Sequence, residues 1–147
     1  MEITNKRAFF DYEITDQIEA GIQLVGCEVK SIRENNASIQ DSYARIKNNE
    51  LFLINMHIAP YKFGNIQNPP ETRERKLLIK KAEISRLIGR LNQGLILLPL
   101  KVYLKHNRYV KVLLGLGKAK KKYDKRETIK KRELNRELQK KYNIKHK

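Results

Sequence analysis

The stretch LILLPLKVYLKHNRYVKVLLGL, residues 95–116, decides the fold prediction because two apolar segments flank four polar residues. Residues 95–104 and 109–116 are rich in Leu, Val, Ile and Tyr, whereas KHNR between them has the composition of a short turn. Branched and aromatic residues on both sides of such a turn are typical of neighbouring antiparallel strands. We therefore predict a pair of strands at this point of the chain.

Three more strands are predicted upstream of this pair. The Asn48-Asn49 pair suits a tight turn between strands at residues 39–46 and 51–55. A longer strand is predicted over residues 22–32, where β-branched residues continue up to the break at Glu34-Asn35-Asn36. These three strands would form an antiparallel meander.

Two helices complete the predicted secondary structure. Asp16 can cap a short helix in which Glu19 returns the capping-box hydrogen bond and Gly21 ends the helix. Between residues 84 and 91, apolar side chains recur at positions i, i+3, i+4 and i+7, and Gly94 follows. That spacing predicts an amphipathic helix that covers an apolar surface.

The order of these elements favours a mainly β fold with short helices. Five or six short antiparallel strands are most economically arranged as a closed or nearly closed barrel of the oligonucleotide-binding (OB) type, since closure removes unpaired strand edges. A split α+β sheet is the alternative. We predict that residues 1–117 form the barrel and that residues 118–147 form a basic C-terminal tail.

The charge of the chain points to a polyanionic partner. Lys and Arg number 32 against 16 Asp and Glu, a net charge of +16, and residues 118–147 hold 14 of the basic residues with only 4 acidic ones. Nucleic acid is the partner that such a field favours. Leu134, Leu138 and Tyr142 share only a narrow stripe at helical spacing, so we expect the tail to be disordered alone and helical when bound.

The residue composition also excludes several other classes of protein. No apolar stretch is long enough to span a membrane, and the N-terminus lacks the apolar core of a signal peptide, so a cytoplasmic location is expected. One cysteine, Cys27, and three scattered histidines are too few for a structural zinc site. No pair of side chains has the spacing of a catalytic acid and base. We therefore expect no enzyme activity, no metal and no cofactor.

Eight segments, in this order, resemble the SsrA-binding protein family, also called small protein B. The match covers essentially the whole chain, and GxEVKS together with YDKR is specific to the family. The segments are NKRA (5–8), EAG (19–21), GCEVKSIR (26–33), DSYA (41–44), RKLL (75–78), EI..L (83–87), PLKVY (99–103) and YDKRE (123–127).

The resemblance implies an OB-type barrel with a basic tail and a nonenzymatic role. It implies binding of transfer-messenger RNA (tmRNA) and delivery of that RNA to stalled bacterial ribosomes for trans-translation. Alanyl-tRNA synthetase, which charges tmRNA with alanine, and elongation factor Tu would be indirect partners through tmRNA. A generic single-stranded RNA-binding or ribosome-associated protein is the alternative function.

By motif, two groups of residues carry the implied contacts. Tyr123, Asp124, Lys125 and Arg126 resemble the family's tail motif, which acts in the decoding region of the small ribosomal subunit. The implied contacts to the tRNA-like domain of tmRNA come from Asn5, Lys6, Arg7, Glu19, Leu78 and Lys111.

The chain departs from the family's usual residues in three places. Cys27 stands where Ser, Thr or Trp is usual, and Lys80 where His or Asn is common. Gly117 and Ala119 reverse a familiar order before the lysines. The first two changes affect local packing or one contact, and the third bears on flexibility between barrel and tail.

Overall fold

The structure, a computed structural model, describes residues 1–61, 69–120, 132–134 and 136. Within these ranges the chain forms nine strands and three helices, and residues 132–134 and 136 are also helical. In chain order the elements are β1 (Glu2–Thr4), α1 (Lys6–Asp11), β2 (Tyr12–Ile22), α2 (Gly26–Arg33), β3 (Ala37–Ser38), β4 (Tyr43–Lys47), β5 (Glu50–Ile54), β6 (His57–Ile58), β7 (Arg75–Leu78), α3 (Lys81–Leu91), β8 (Ile96–Lys105) and β9 (Tyr109–Ala119).

Seven of the strands form one antiparallel sheet in the order β1-β8-β9-β2-β7-β5-β4. The sheet curls until β4 packs back against β8, which leaves a nearly closed barrel. The remaining strands, β3 and β6, pair with each other. The predicted fold class, mainly antiparallel β of the OB type with short helices, is confirmed.

The hairpin predicted from residues 95–116 is present as β8 and β9. Lys105 pairs with Tyr109 at its end, and the turn residues His106 and Asn107 adopt left-handed φ angles of 55° and 57°. The ladder shifts register between Pro99 and Lys101. Proline has no N–H to donate, so its place beside an irregularity spares the ladder a missing hydrogen bond.

The second predicted hairpin is also confirmed. Asn48 and Asn49 have φ angles of 54° and 59°, the left-handed values of the tight turn that suits twisted antiparallel strands. The predicted strand at residues 39–46 is shorter than expected, because the sheet contains Tyr43–Lys47 while Ala37–Ser38 pairs separately with β6.

The short helix predicted to start at Asp16 is wrong, because β2 runs through the whole segment. Its pairing with β9 extends from Tyr12 to Gly21, and the register shifts between Ile14 and Asp16. The Asp16 carboxylate accepts a hydrogen bond from the N–H of its neighbour Gln17 at 2.9 Å instead of capping a helix. The capping-box spacing is therefore coincidental, and long-range pairing determines the local structure.

The long strand predicted over residues 22–32 is also wrong, since α2 occupies Gly26–Arg33. Glu28, Ser31 and Ile32 are its buried residues, at the helical spacing i, i+3 and i+4. The Glu28 carboxylate accepts a hydrogen bond from the Val25 N–H at 3.1 Å and satisfies a free donor at the helix start. The predicted three-stranded meander is thereby reduced to the β4–β5 hairpin.

The predicted amphipathic helix is confirmed as α3, Lys81–Leu91. Ile84 and Leu87 are buried along its inner face, and Gly94 beyond its end has a φ angle of 87° that favours glycine. On its exposed side Arg86 donates to the Asp16 carboxylate at 2.5 Å, which links the helix to β2.

A buried ion network fixes α2 to the barrel. Arg75 on β7 is fully buried, and its Nε donates to the Glu28 carboxylate at 2.8 Å. The same guanidinium donates to the carbonyls of Met56 at 2.6 Å and Glu71 at 3.0 Å, while Arg73 donates to the second Glu28 oxygen. Every buried polar side-chain atom in the described ranges has a partner. The network therefore leaves no buried donor or acceptor of these side chains unpaired.

Candidate nucleic-acid interface

A single line of paired residues crosses five strands of the sheet. Gly21 on β2 pairs with Leu78 on β7 on one side and with Lys111 on β9 on the other. Lys111 pairs in turn with Tyr103 on β8, and Tyr103 with Glu2 on β1. Because directly paired residues share a face, the ladder brings together side chains that are far apart in sequence. We call Leu78, Gly21, Lys111 and Tyr103 the central row.

Leu78 and Lys111, which flank Gly21 in the central row, approach each other over the glycine. A β-carbon at position 21 would lie 3.3 Å from the Leu78 Cβ and 3.6 Å from the Lys111 Nζ. The Leu78 side chain is 52% exposed, so it presents an apolar surface to solvent. A small residue at position 21 therefore lets an apolar side chain and a cation approach each other at the surface.

A shallow depression of about 220 Å³ lies beside this contact. Leu78, Gly21 and Lys111 line it together with Arg108 and Tyr109 from the β8–β9 turn. Tyr109 is 55% exposed and presents an aromatic ring to solvent. The depression thus combines positive charge, an exposed ring and an apolar wall, which are the contacts that suit RNA backbone and unstacked bases.

Glu19 lies next to the central row, two residues before Gly21 on β2. The residue between them, Ala20, faces inward. Its carboxylate accepts hydrogen bonds from the Tyr103 hydroxyl and from the Lys105 ammonium, the latter at 2.9 Å. These two bonds, with the nearby charge of Lys111, hold the pKa of Glu19 below its ordinary value. Burial, followed by the hydrogen bond to Glu19, raises the pKa of Tyr103 to about 12. At neutral pH the site therefore contains an ionised carboxylate and a protonated phenol.

The chemistry of this surface divides into distinct tasks. Lys111 and Arg108 can pair with phosphate oxygens, which position a nucleic acid without recognising its sequence. The Glu19 carboxylate repels phosphate and accepts hydrogen bonds, so it suits a 2′-hydroxyl or a base amino group. Leu78 and Tyr109 can contact an exposed base or ribose face. Together these groups favour RNA of a defined shape over any polyanion.

Asn5 lies apart from the central row and is buried. Its amide donates to the carbonyls of Ile39 at 3.2 Å and Pro99 at 3.0 Å, and its side-chain oxygen accepts from the Ala8 N–H at 3.2 Å. These bonds cap α1 and tie three segments of the chain together. The structure thus places the Asn5 side chain in an internal role.

Lys6 and Arg7 are exposed on α1. Arg7 pairs with Asp11 at 3.4 Å and lines a separate depression of about 300 Å³ with residues 40–43. None of the residues that line this depression also lines the one beside Leu78 and Lys111. The structure therefore brings Glu19, Leu78 and Lys111 together, whereas Arg7 lines a second surface and Lys6 is its exposed neighbour on α1.

The predicted tail residues Tyr123, Asp124, Lys125 and Arg126 lie outside the described residues. The segment just before them is attached to the N-terminal helix. The Lys120 N–H donates to the Asp11 carbonyl at 2.8 Å, and its ammonium donates to the Phe9 carbonyl at 3.2 Å. Further along, the Arg132 guanidinium carbon lies 5.8 Å from the centre of the Phe10 ring.

Sequence reasoning did not assign site roles to Gly21, Lys105 and Arg108. Gly21 was interpreted as the end of a helix that does not form. The alternation in KVYLK, residues 101–105, does place Lys101, Tyr103 and Lys105 on one face of β8. Their proximity to Glu19 depends on the register of β2, β9 and β8, which no local signal reveals.

Two kinds of feature are absent from the described ranges. Across residues 1–61, 69–120 and the short helical part after them, no three His, Cys, Asp or Glu side chains are grouped to hold a metal ion. Over the same part of the chain, no helix has the length and apolar character needed to cross a bilayer.

Comparison with known proteins adds a family match and close relatives. The family model described as "SmpB protein" matches residues 2–144. The SsrA-binding protein of Thermosipho africanus (strain TCF52B) is 52% identical over 136 residues, which cover 92% of this chain and 91% of that protein. The SsrA-binding protein of Lactobacillus johnsonii (strain CNCM I-12250 / La1 / NCC 533) is 51% identical over 141 residues, which cover 95% and 93%.

A solved structure is similar in both sequence and fold. Its name is "tmRNA-SmpB: a journey to the center of the bacterial ribosome", and one of its chains is 47% identical to this protein with a TM-score of 0.69. The likeness covers 82% of this chain and 85% of that chain.

Proposed function

Because the chain belongs to the SmpB family, as the motif resemblance indicated, we propose that it binds tmRNA and delivers it to stalled ribosomes for trans-translation. Two facts support the proposal from outside the site. Relatives that are about half identical over nearly their whole length are SsrA-binding proteins. The similar solved chain comes from a structure named for tmRNA, SmpB and the bacterial ribosome.

The observation that carries the proposal is the central row with the ionised Glu19 beside it. A protein that bound any polyanion would gain nothing from a fixed carboxylate on its contact surface, since that charge opposes phosphate. A protein that recognises one folded RNA can use the carboxylate as an acceptor for a 2′-hydroxyl or base donor. The surface therefore fits a structured target such as the tRNA-like domain of tmRNA.

Within this function, Glu19, Leu78 and Lys111 contact the tRNA-like domain directly. Asn5 supports the contact indirectly, because its side chain fixes the start of α1. Lys6 and Arg7 on that helix add positive charge at the second surface and meet RNA backbone there.

The basic tail acts on the ribosome. Residues 118–147 have a net charge of +10, which favours entry into a channel lined with RNA phosphates. Tyr123, Asp124, Lys125 and Arg126 act in the decoding region of the small subunit, where an aromatic ring can stack on a base. The attachment of Lys120 to α1 sets where this segment leaves the barrel.

The remaining partners act through tmRNA. Alanyl-tRNA synthetase and elongation factor Tu act on the RNA that this protein holds, so both are indirect partners. The role is binding and delivery without a reaction catalysed by this chain, and no cofactor takes part in it. Because the protein acts on bacterial ribosomes, its location is cytoplasmic.

Generic binding of single-stranded RNA or of the ribosome is the alternative function. The positive charge and exposed tyrosines of the described surface would serve that function as well. The two functions differ in selectivity, because a generic binder takes up RNAs of equal length and charge alike.

A competition experiment separates the two functions. The wild-type protein is incubated with labelled tRNA-like domain of tmRNA and increasing unlabelled competitor at about 150 mM salt, where nonspecific attraction is partly screened. The competitors are the same domain and an unstructured RNA of equal length. Preference for the folded domain supports the proposal, whereas equal competition supports the generic binder.

A further inference from the structure

We propose that Tyr103 is a positioning residue for RNA binding, which acts with Lys105 to hold the Glu19 carboxylate ready to accept a hydrogen bond from the RNA. The inference rests on the proposed function, because it concerns the same surface. It adds a residue whose hydroxyl need not touch the RNA.

The geometry supports this role because each carboxylate oxygen of Glu19 has its own partner. The Tyr103 hydroxyl donates to Oε2 and the Lys105 ammonium donates to Oε1 at 2.9 Å. Both partners come from β8, and the Tyr103 backbone is fixed between β1 and β9. A glutamate on an exposed strand would otherwise sample several rotamers, and their loss on binding would weaken the complex.

The arrangement leaves the carboxylate able to take a further partner. A carboxylate offers about four acceptor sites, and the two bonds from β8 use two of them. The carboxylate is part of an exposed side chain, so its free lone pairs are accessible. The ligand group that fits is a hydrogen-bond donor of RNA, a 2′-hydroxyl or a base N–H.

A purely structural role explains the hydroxyl of Tyr103 less well. The neighbours Val102 and Leu104 supply the apolar packing of this part of β8. The side chains of Glu19 and Lys105 are 35% and 45% exposed, and ion pairs open to solvent contribute little to stability. The hydroxyl therefore has its main consequence at Glu19.

The test is a double-mutant cycle on RNA affinity with Tyr103→Phe, Glu19→Gln and the combined variant. Tyr103→Phe removes the hydroxyl and keeps the ring. We expect it to weaken binding of the tRNA-like domain about fivefold to tenfold in the wild-type background. In the Glu19→Gln background the same change should have almost no further effect on affinity, because the carboxylate that the Tyr103 hydroxyl positions is no longer present.

A second measurement excludes loss of fold as the cause. The groups that face Glu19 are Tyr103 and Lys105 on β8 and Lys111 on β9, and all three favour its ionised form. In the free protein, NMR titration of the Glu19 carboxyl should therefore give a higher pKa in Tyr103→Phe than in the wild type. The thermal midpoint should be unchanged. Tyr43→Phe, which removes the hydroxyl of an exposed tyrosine on β4, should alter neither the pKa of Glu19 nor the thermal midpoint.

Two other results of the double-mutant cycle would count against the positioning role of Tyr103. Unchanged affinity in Tyr103→Phe, or an equal loss in both backgrounds, would overturn the positioning role. The cycle is measured on the tRNA-like domain and on unstructured RNA of equal length. If the wild type fails to discriminate between them, the proposed function is wrong, and the cycle on the unstructured RNA still decides whether Tyr103 acts through Glu19.

Discussion

Gly21 on β2 lies opposite Lys111 on β9, and a β-carbon at residue 21 would lie 3.6 Å from the Lys111 ammonium. The same β-carbon would lie 3.3 Å from the Leu78 Cβ. The glycine thus leaves the space in which a cation and an exposed leucine meet. This relationship makes position 21 a sensitive probe of the RNA surface.

Gly21→Val is expected to weaken RNA binding and also to lower the stability of the fold. The branched side chain would displace Leu78 and Lys111, and overpacking of this kind costs about 1–3 kcal/mol of stability. Loss of the Lys111 contact should lower affinity for the tRNA-like domain about tenfold, measured at a temperature where both proteins are folded.

Gly89→Ala is the control for Gly21→Val, because a β-carbon at the exposed position 89 in α3 meets nothing within 4 Å. It should leave affinity unchanged and raise stability by up to about 1 kcal/mol through helix propensity. Equal affinity of Gly21→Val and wild type would show that the space over Gly21 is not used.

Glu28→Gln is expected to destabilise the fold strongly. The change leaves the fully buried Arg75 guanidinium without its counter-charge, and breaking a buried pair costs about 3–5 kcal/mol. Chemical denaturation would measure the loss. Glu50→Gln, which breaks an exposed pair with Lys76 at 3.4 Å, should cost about 1 kcal/mol or less. Similar costs for the two variants would contradict the structural role assigned to the Glu28 network.

The pH dependence of stability should also trace to Glu28. Burial alone would raise its pKa, but hydrogen bonds from Arg73, the Val25 N–H and Arg75 outweigh burial and lower it from 4.5. A lowered folded-state pKa contributes stability above the unfolded pKa, and that stability is lost as pH falls through the folded value. The stability difference between wild type and Glu28→Gln should therefore shrink below pH 4.5. A constant difference across that range would contradict the assignment.

Local signals explain which parts of the fold could be predicted. The two hairpins have turn residues that tolerate left-handed φ angles, Asn48-Asn49 and His106-Asn107, between strongly apolar segments. The helix α3 has an uninterrupted apolar spacing and a terminal glycine. In each case propensity, pattern and tertiary structure agree.

The two errors have a common physical cause, which is dependence on distant partners. The segment around Asp16 satisfies a helix-capping pattern, yet nine residues of it pair in a ladder with β9, about a hundred positions away. In α2 the inner face contains Glu28 and Ser31, so it lacks an apolar stripe, and Glu28 is tolerated only because Arg73 and Arg75 neutralise it. Contacts of this range leave no local signature.

The candidate site could likewise be predicted only in part from the sequence. Glu19, Leu78 and Lys111 were identified from motif resemblance, and the strand register brings them together. The role of Gly21 and the partnership of Tyr103 with Glu19 depend on the register, because both relations cross several strands.

Removal of residues 121–147 should separate RNA binding from function on the ribosome. The truncation keeps β9 and the Lys120 hydrogen bond to Asp11, so the barrel should remain folded and should still prefer the tRNA-like domain. Nonspecific affinity should fall with the lost charge. Peptide tagging in a reconstituted stalled-translation assay should be abolished.

The triple variant Asp124→Ala, Lys125→Ala, Arg126→Ala is the sharper form of this experiment. It removes only two of the 14 basic residues between 118 and 147, so binding to tmRNA and to ribosomes should largely persist. Tagging should nevertheless fail. Normal tagging by this variant would refute the role proposed for the tail motif.

The most direct measurement is the affinity of Lys111→Glu for the tRNA-like domain of tmRNA, with Lys118→Glu as its control. Lys118 lies on the same strand, seven residues and roughly 23 Å further along, so both variants change the net charge equally. A charged contact is worth about 1.5–3 kcal/mol, so Lys111→Glu should bind at least about tenfold more weakly. Its thermal midpoint should stay close to that of the wild type, and Lys118→Glu should lose little affinity. Wild-type affinity in Lys111→Glu, or an equal loss in both variants, would contradict the assignment of the central row as the RNA-binding surface.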